Sequence, residues 1–303
     1  MSFRDAEESR PGEQAPTGAE SGRGRRTRKF PLLALLAVLV LVLLVVAAIL
    51  LWRSFGESIS GTSVARDSID SAGPEPHVKL TNAAGQVRIE GVKGSNSVDY
   101  EATRYAMAGN PAAAKQQASE VPVDISREDS EIVIQTDGGE DTGADYKLRV
   151  PSGGSVEVES EEGDVEVSGI TGDVKVAAEA GDVTVRKVGG NLKVEAPSGD
   201  VSVGDVNTDT GSADLEVGSG DLSLEDLILG TLEASVEAGD VTLLGRFSGG
   251  GRVSVETGDI IARLPPEDTR DLILQTRVGS VLREPPGGDS NEQGSAKRKQ
   301  LGS

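Results

Sequence analysis

Between residues 163 and 185 the chain reads GDVEVSGITGDVKVAAEAGDVTV, with Gly-Asp-Val returning every nine residues. Glycine accepts the positive φ of a tight corner, so a chain turned this often has room only for short strands between corners. Strand side chains alternate, which puts Val183 and Val185 on one face and Asp182 and Thr184 on the other. Turn units start at Gly154 and recur to Gly279, and taken in pairs they give a period of 18–21 residues, two strands and two turns. Such a period predicts a solenoid, in which no repeat buries its apolar face alone. The fold class expected is therefore all-β, a two-sheeted β-solenoid. One inward ladder is Val165/Val167, Val183/Val185, Val201/Val203, Leu222/Leu224 and Val241/Leu243; the other is Val156/Val158, Val174/Val176, Leu192/Val194, Leu215/Val217 and Val253/Val255. Two narrow sheets about 10 Å apart need no large rings, in keeping with an aromatic content of 3%. At about 4.8 Å per coil, six to seven coils make a rod roughly 30 Å long.

The flanks divide the rest. Residues 1–29 form a polar tail ending in the basic run RGRRTRK, and Phe30–Trp52 is an uninterrupted apolar run. At about 1.5 Å per helical residue that run spans roughly the 30 Å of a bilayer core. It is longer than the apolar region of a cleaved signal peptide, about 7–15 residues. The sequence thus predicts a single-pass signal anchor in the cell membrane. The basic flank places the N-terminus in the cytoplasm and the C-terminal domain outside. Residues 53–76 read as a stalk and 77–150 as a β-rich cap with strands near 77–81, 86–90, 97–106, 121–126, 131–136 and 145–150. Asn110 and Pro111 open one short helix over 111–119. The solenoid is assigned to 151–283, and 284–303 to a polar tail.

The segments VKLTNAAGQVRIEG and DYKLRVPSGGSVEVESEEGDVEVSGITGDVKV, with the later Gly-Asp units, resemble the bacterial putative-adhesin family of unknown function. The resemblance covers residues 77–282. It implies a membrane-tethered, β-solenoid-like domain at the cell envelope and supplies no catalytic residues.

Chemistry is conspicuous mainly by what the residue set excludes. There is no cysteine and one histidine, His77, set where the stalk meets the first strand. Thiolate sites and disulfides are ruled out, and a Ser-His-Asp hydrolase would need a buried, oriented imidazole. No phosphate-cradling or zinc motif occurs. The expectation is a non-catalytic protein. With a net charge of −20 it repels nucleic acid. A polysaccharide-active β-helix enzyme is the distant alternative, disfavoured by tight turns and few aromatics.

The aspartates are unevenly placed. Asp164, Asp182, Asp200, Asp221, Asp240 and Asp259 fall on one edge, beside outward Thr184, Ser202, Ser223 and Thr242. The other edge carries Ser155, Asp173, Asn191, Ser212, Thr231 and Arg252, and the other sheet shows Glu157, Lys175, Lys193 and Glu216. Unit charges about 4.8 Å apart repel by roughly 1 kcal/mol in water and about 3.5 kcal/mol at an effective dielectric of 20, so the row must stay hydrated or hold cations. The striped face is the candidate docking surface for a cation-bridged wall polymer or an envelope protein. Separately, Asp205, Asn207, Asp209 and Glu216 match the ligand spacing of a calcium loop, although its glycine is displaced to Gly211. Calcium is the one cofactor this leaves open. Two functions emerge: envelope adhesion or scaffolding through the striped face, or sensing of envelope state on behalf of a membrane signalling partner.

Overall fold

A computed structural model describes residues 59–71, 73–139, 141–265 and 271–284, Asp209 by its backbone alone. The expected anchor over 30–52, the tail over 1–29 and nearly all of 284–303 lie outside them. Among the described residues no helix is long and apolar enough to cross a membrane.

The N-terminal part runs β1 (Ile59–Asp70), β2 (His77–Ala84), β3 (Val87–Val92), β4 (Ser97–Ala108), α1 (Pro111–Glu120), β5 (Asp124–Glu128), β6 (Glu131–Thr136) and β7 (Thr142–Pro151). The repeat continues as β8 (Ser155–Glu162), β9 (Val165–Ser168), β10 (Val174–Ala180), β11 (Val183–Arg186), β12 (Leu192–Ser198), β13 (Val201–Gly204), β14 (Asn207–Ser219), β15 (Leu222–Ala238), β16 (Val241–Phe247), β17 (Gly251–Thr257), β18 (Ile260–Arg263), β19 (Leu272–Val278) and β20 (Val281–Glu284). Strands pair in parallel with the strand two places on, the signature of a solenoid. Sheet I stacks β6, β2, β8, β10, β12, β14, the second half of β15, β17 and β19. Sheet II stacks β7, β3, β9, β11, β13, the first half of β15, β16, β18 and β20.

All the expected inward pairs are buried, but three details of the register are corrected. Leu192 and Val194 lie beside Ala213 and Leu215, not Leu215 and Val217, because the small Ala213 takes the first inward place. A whole rung, Leu232, Ala234 and Val236, sits between β14 and β17. The section is not purely two-sided either. Ile170, Val188, Val206, Leu227, Leu229, Phe247 and Leu264 are buried along a third, short side. It is joined by bonds such as Ile228 N–H to the Val206 carbonyl (2.8 Å) and Ser248 N–H to the Leu229 carbonyl (3.0 Å).

The cap also differs from expectation. β2 and β3 belong to the solenoid, since they pair with β8 and β9 on one side and β6 and β7 on the other. The stacking therefore begins well before residue 151. The stalk reading fails at Ile59–Asp70: this stretch runs antiparallel to all of β4, whose 12 residues offer an edge long enough to hold it. β4 in turn runs antiparallel to β7, so sheet II continues into β4 and β1. Over this ribbon lies α1. Asn110 accepts the Ala113 N–H (2.9 Å), Pro111 opens the first turn, and Ala114 and Ala118 are buried. The Arg104 guanidinium donates to the carbonyls of Ser119 (3.2 Å) and Val121 (3.3 Å), closing the helix's C-terminus.

The tightest constraint is the glycine column at the corner. At Gly199 φ is +129°, and a Cβ would stand 2.1 Å from the Gly181 carbonyl oxygen of the coil beneath. Both conformation and contact exclude a side chain. Gly199→Ala is expected to destabilise the fold by about 3 kcal/mol. Gly204→Ala, where the nearest atom is 3.8 Å away, should change it by less than about 1 kcal/mol. Urea denaturation of both variants checks this.

Candidate functional site

The six aspartates do form one row, and the corner geometry explains why an acceptor recurs there. At the corners of Asp182, Asp200, Asp221, Asp240 and Asp259 the backbone N–H is bonded to a side chain of the neighbouring coil. Asp164 Oδ1 accepts the N–H of Asp182 (3.1 Å), and the same bond runs on through Asp200, Asp221, Asp240 and Asp259 to Ser280, at 2.7–2.9 Å. The donors are separated from their acceptors by 18, 18, 21, 19, 19 and 21 residues, which are the coil lengths. The same corner bond occurs once more two coils before Asp164, where Asp145 accepts the Gln86 N–H (2.9 Å).

The opposite edge makes the same bond with different chemistry. Asp173 Oδ1 accepts the N–H of Asn191 (2.8 Å), and Asn191 Oδ1 accepts that of Ser212 (3.1 Å). An amide oxygen thus serves as well as a carboxylate. The hydrogen bond accounts for an oxygen at each corner but not for the repeated negative charge on one edge. Asp200→Asn should leave stability unchanged or raise it slightly, through reduced repulsion. Asp200→Ala, which strips the Asp221 N–H of its acceptor, should cost about 1 kcal/mol; thermal unfolding at low and high salt distinguishes the two terms.

Thr184, Ser202, Ser223 and Thr242 stand in register on the outer face of sheet II, half-buried, beside the aspartate row. The stripe is bounded at both ends. Toward the cap the same outward row becomes Glu166, Arg88, Lys147, Glu101 and Arg66, a run of mixed charge with Arg66–Glu101 (2.8 Å) and Arg88–Glu166 paired. Toward the other end it becomes Ile261 and Leu282.

Sheet I carries Glu157, Lys175 and Lys193 outward as expected, but the next in that row is Asp214; Glu216 lies in the adjacent row beside Glu195. Glu157 is a hub, with Lys175 Nζ at 3.0 Å, Lys79 Nζ at 3.5 Å and His77 Nε2 at 3.7 Å. The hydrogen bond from Lys175, aided by Lys79, holds its carboxyl below the usual carboxylate range. A carboxylate with a lowered pKa stabilises the fold above its unfolded value, about 4.3, and the contribution fades as pH falls through the lowered value. Glu157→Gln is therefore expected to cost about 1 kcal/mol at pH 7 and almost nothing below about pH 3, read from denaturation across that range.

The calcium spacing does not become a calcium loop. Asn207–Ser219 changes register between Thr208 and Ser212 as it passes from the third side into sheet I, which sets Asn207 and Glu216 on different sides of the coil. Asp205 is exposed at a left-handed turn (φ 56°), Asn207 pairs with Ile228 on the third side, and Glu216 lies outward on sheet I. The side chain of Asp209 lies outside the described residues. Among the described residues no group of three or more His, Cys, Asp or Glu is placed to hold a metal ion.

One constellation escaped sequence reasoning. His77 Nδ1 lies 2.8 Å from Ser155 Oγ, with Glu157 beyond the other ring nitrogen, the elements of a Ser-His-acid set. Only the 78-residue register between β2 and β8 brings them together. An acyl-transfer site also needs free N–H groups aimed at the developing oxyanion. Here the N–H groups of His77, Ser155 and Val156 are committed to the carbonyls of Ser130, Pro76 and Asp173.

A solved putative adhesin of Bacteroides fragilis NCTC 9343 is 16% identical, with a TM-score of 0.49 over 73% of this chain and 97% of that one. One from Parabacteroides distasonis ATCC 8503 is also 16% identical, with a TM-score of 0.45 over 76% and 98%. A putative cell adhesion protein of Clostridium sporogenes ATCC 15579 is 10% identical, with a TM-score of 0.34 over 75% and 99%. No curated protein matches the chain. The Toastrack DUF4097 family profile matches residues 120–301, from the end of α1 through the last coil, and the chain belongs to that family.

Proposed function

We propose that this protein is a membrane-anchored, non-catalytic binding module of the bacterial cell envelope, displaying its solenoid outside the membrane and binding through the aspartate edge and its hydroxyl stripe. The observation that carries this is the uneven use of charge. On the opposite edge the same corner bond is made at Asp173 and at Asn191, and Asn191 makes it without charge. The other edge nevertheless uses aspartate at Asp164, Asp182, Asp200, Asp221, Asp240 and Asp259, all exposed. Their mutual repulsion is a standing cost that a structural role does not require. A basic surface or a cation-bridged anionic wall polymer would offset it. The bounded patch at Thr184, Ser202, Ser223 and Thr242 supplies neutral hydroxyls alongside.

Two further points support the reading. The Ser155–His77 pair has its nearby N–H groups locked in the ladder, which argues for a binding role over hydrolysis. The anchor rests on the apolar run Phe30–Trp52 and its basic flank.

Because asparagine keeps the corner hydrogen bond, charge can be removed without removing the fold. The quadruple replacement of Asp182, Asp200, Asp221 and Asp240 by Asn is expected to leave unfolding cooperative while lowering sedimentation with isolated cell-wall material at least tenfold. Unaltered binding would defeat the proposal.

A further inference from the structure

The two ends of the solenoid are finished differently. At the N-terminal end β7 is covered by β4 and β4 by β1, while β6 is covered by β5. At the other end, among the described residues, β19 pairs only with β17 and β20 only with β18. The last rung therefore presents two free strand edges, one from each sheet, and free edges are templates for further pairing. Its surface also changes character. The outward place held by Lys175, Lys193, Asp214, Glu233 and Arg252 along sheet I is Ile273 in the last rung, 49% exposed. The place held by hydroxyls along sheet II becomes Ile261 and then Leu282, the latter 43% exposed, and Val278 and Val281 at the corner are exposed too.

We infer that this open end is a self-association surface at which two copies of the chain meet tail to tail, β19 against β19 and β20 against β20. The sequence after Glu284 is poorly suited to supply the missing rung: it opens with Pro285 and Pro286, which lack N–H donors, and continues as GGDSNEQGSAKRKQLGS without apolar alternation. Head-to-tail joining would instead set these apolar edges against β5 and β1, the polar and mostly exposed outer strands of the cap. A tail-to-tail arrangement satisfies both edges with one two-fold axis, because an axis normal to the two stacked sheets reverses each strand and leaves it in its own sheet. Charge favours the same place. The chain carries a net −20, yet the described residues of the last rung, with Asp271, Arg277, Arg283 and Glu284, have two charges of each sign. Two acidic rods approach most easily where each is locally neutral.

The chain has no cysteine, so single replacements report the contact cleanly in the full-length protein solubilised from membranes. Antiparallel pairing of the four-residue β20 with its copy puts Leu282 within about 5–8 Å of its twin. Leu282→Cys is expected to give a covalent dimer with a short bis-maleimide, and Thr184→Cys, mid-stripe, to give at least tenfold less. Adding Ile273→Lys, at an exposed position that should not disturb folding, is expected to reduce the Leu282→Cys dimer at least fivefold. Equal crosslinking at the two positions, or insensitivity to Ile273→Lys, would overturn the inference. So would a monomer throughout, which would mean that Arg283, placed in an inward row and bonded across the open end to the Leu272 carbonyl (3.2 Å), acts as an edge guard. A Leu282→Cys adduct of another mass would overturn it in favour of a different protein partner.

Discussion

Backbone stacking at one corner governs the rest of this structure. Successive coils approach so closely there that each glycine lies over the carbonyl of the glycine beneath, at Gly163, Gly181, Gly199, Gly220, Gly239, Gly258 and Gly279 in turn. That approach fixes the coil spacing at the value of a parallel ladder. It aligns the corner N–H of one coil with the side chain of the previous one, which is why the residue after the glycine must bring an oxygen. The valines two places further then have no choice of direction and fall into the inward rows. Glycine, aspartate and valine are consequences of one another, in sequence order, and the core of small aliphatic side chains results from the thinness of the space they enclose.

The parts of this fold that repeat were legible, because alternation and the glycine interval are properties of adjacent residues. Val183 and Val185, or Asn110 with Pro111, announce their roles locally. The misreadings arose where partners are remote or the apolar signal is weak. Ala213 is inward but small, so the larger Leu215 carries the apolar signal although it is Ala213 that stands beside Leu192. The third side is built of single residues such as Ile170, Val188 and Val206, which recur with the coil but are too few in each to show the alternation of a strand. β1 is mostly polar and mostly exposed, and only its 12-residue partner identifies it as a strand.

The candidate site shows the same limit more sharply. That the aspartates line one edge was readable from the interval. That each accepts the next one's N–H was not, since the bond connects coils and not neighbours in sequence. The spacing of Asp205, Asn207, Asp209 and Glu216 suggested a loop only while the chain between them was free to curl, and pairing of β14 with β12 and β15 removes that freedom. The Ser155–His77 contact runs the other way, a constellation created by register between segments that sequence gives no reason to join.

Since the corners and the inward rows carry the fold, the outward rows are left with little structural duty. Along sheet II a single outward row passes from paired charges at Arg66, Glu101, Arg88 and Glu166 through hydroxyls at Thr184 to Thr242 and ends in Ile261 and Leu282. Parallel pairing is indifferent to which of these it carries, because each side chain stands on the solvent face of an already completed ladder. A surface that could have been uniform is instead divided into charged, neutral polar and apolar zones along the rod. The aspartate row adds a fourth property, fixed charge at the spacing of the coils, on residues whose structural task asparagine performs elsewhere in the same molecule. These outward features are set by no requirement of the ladder, and they are concentrated on one edge and one end.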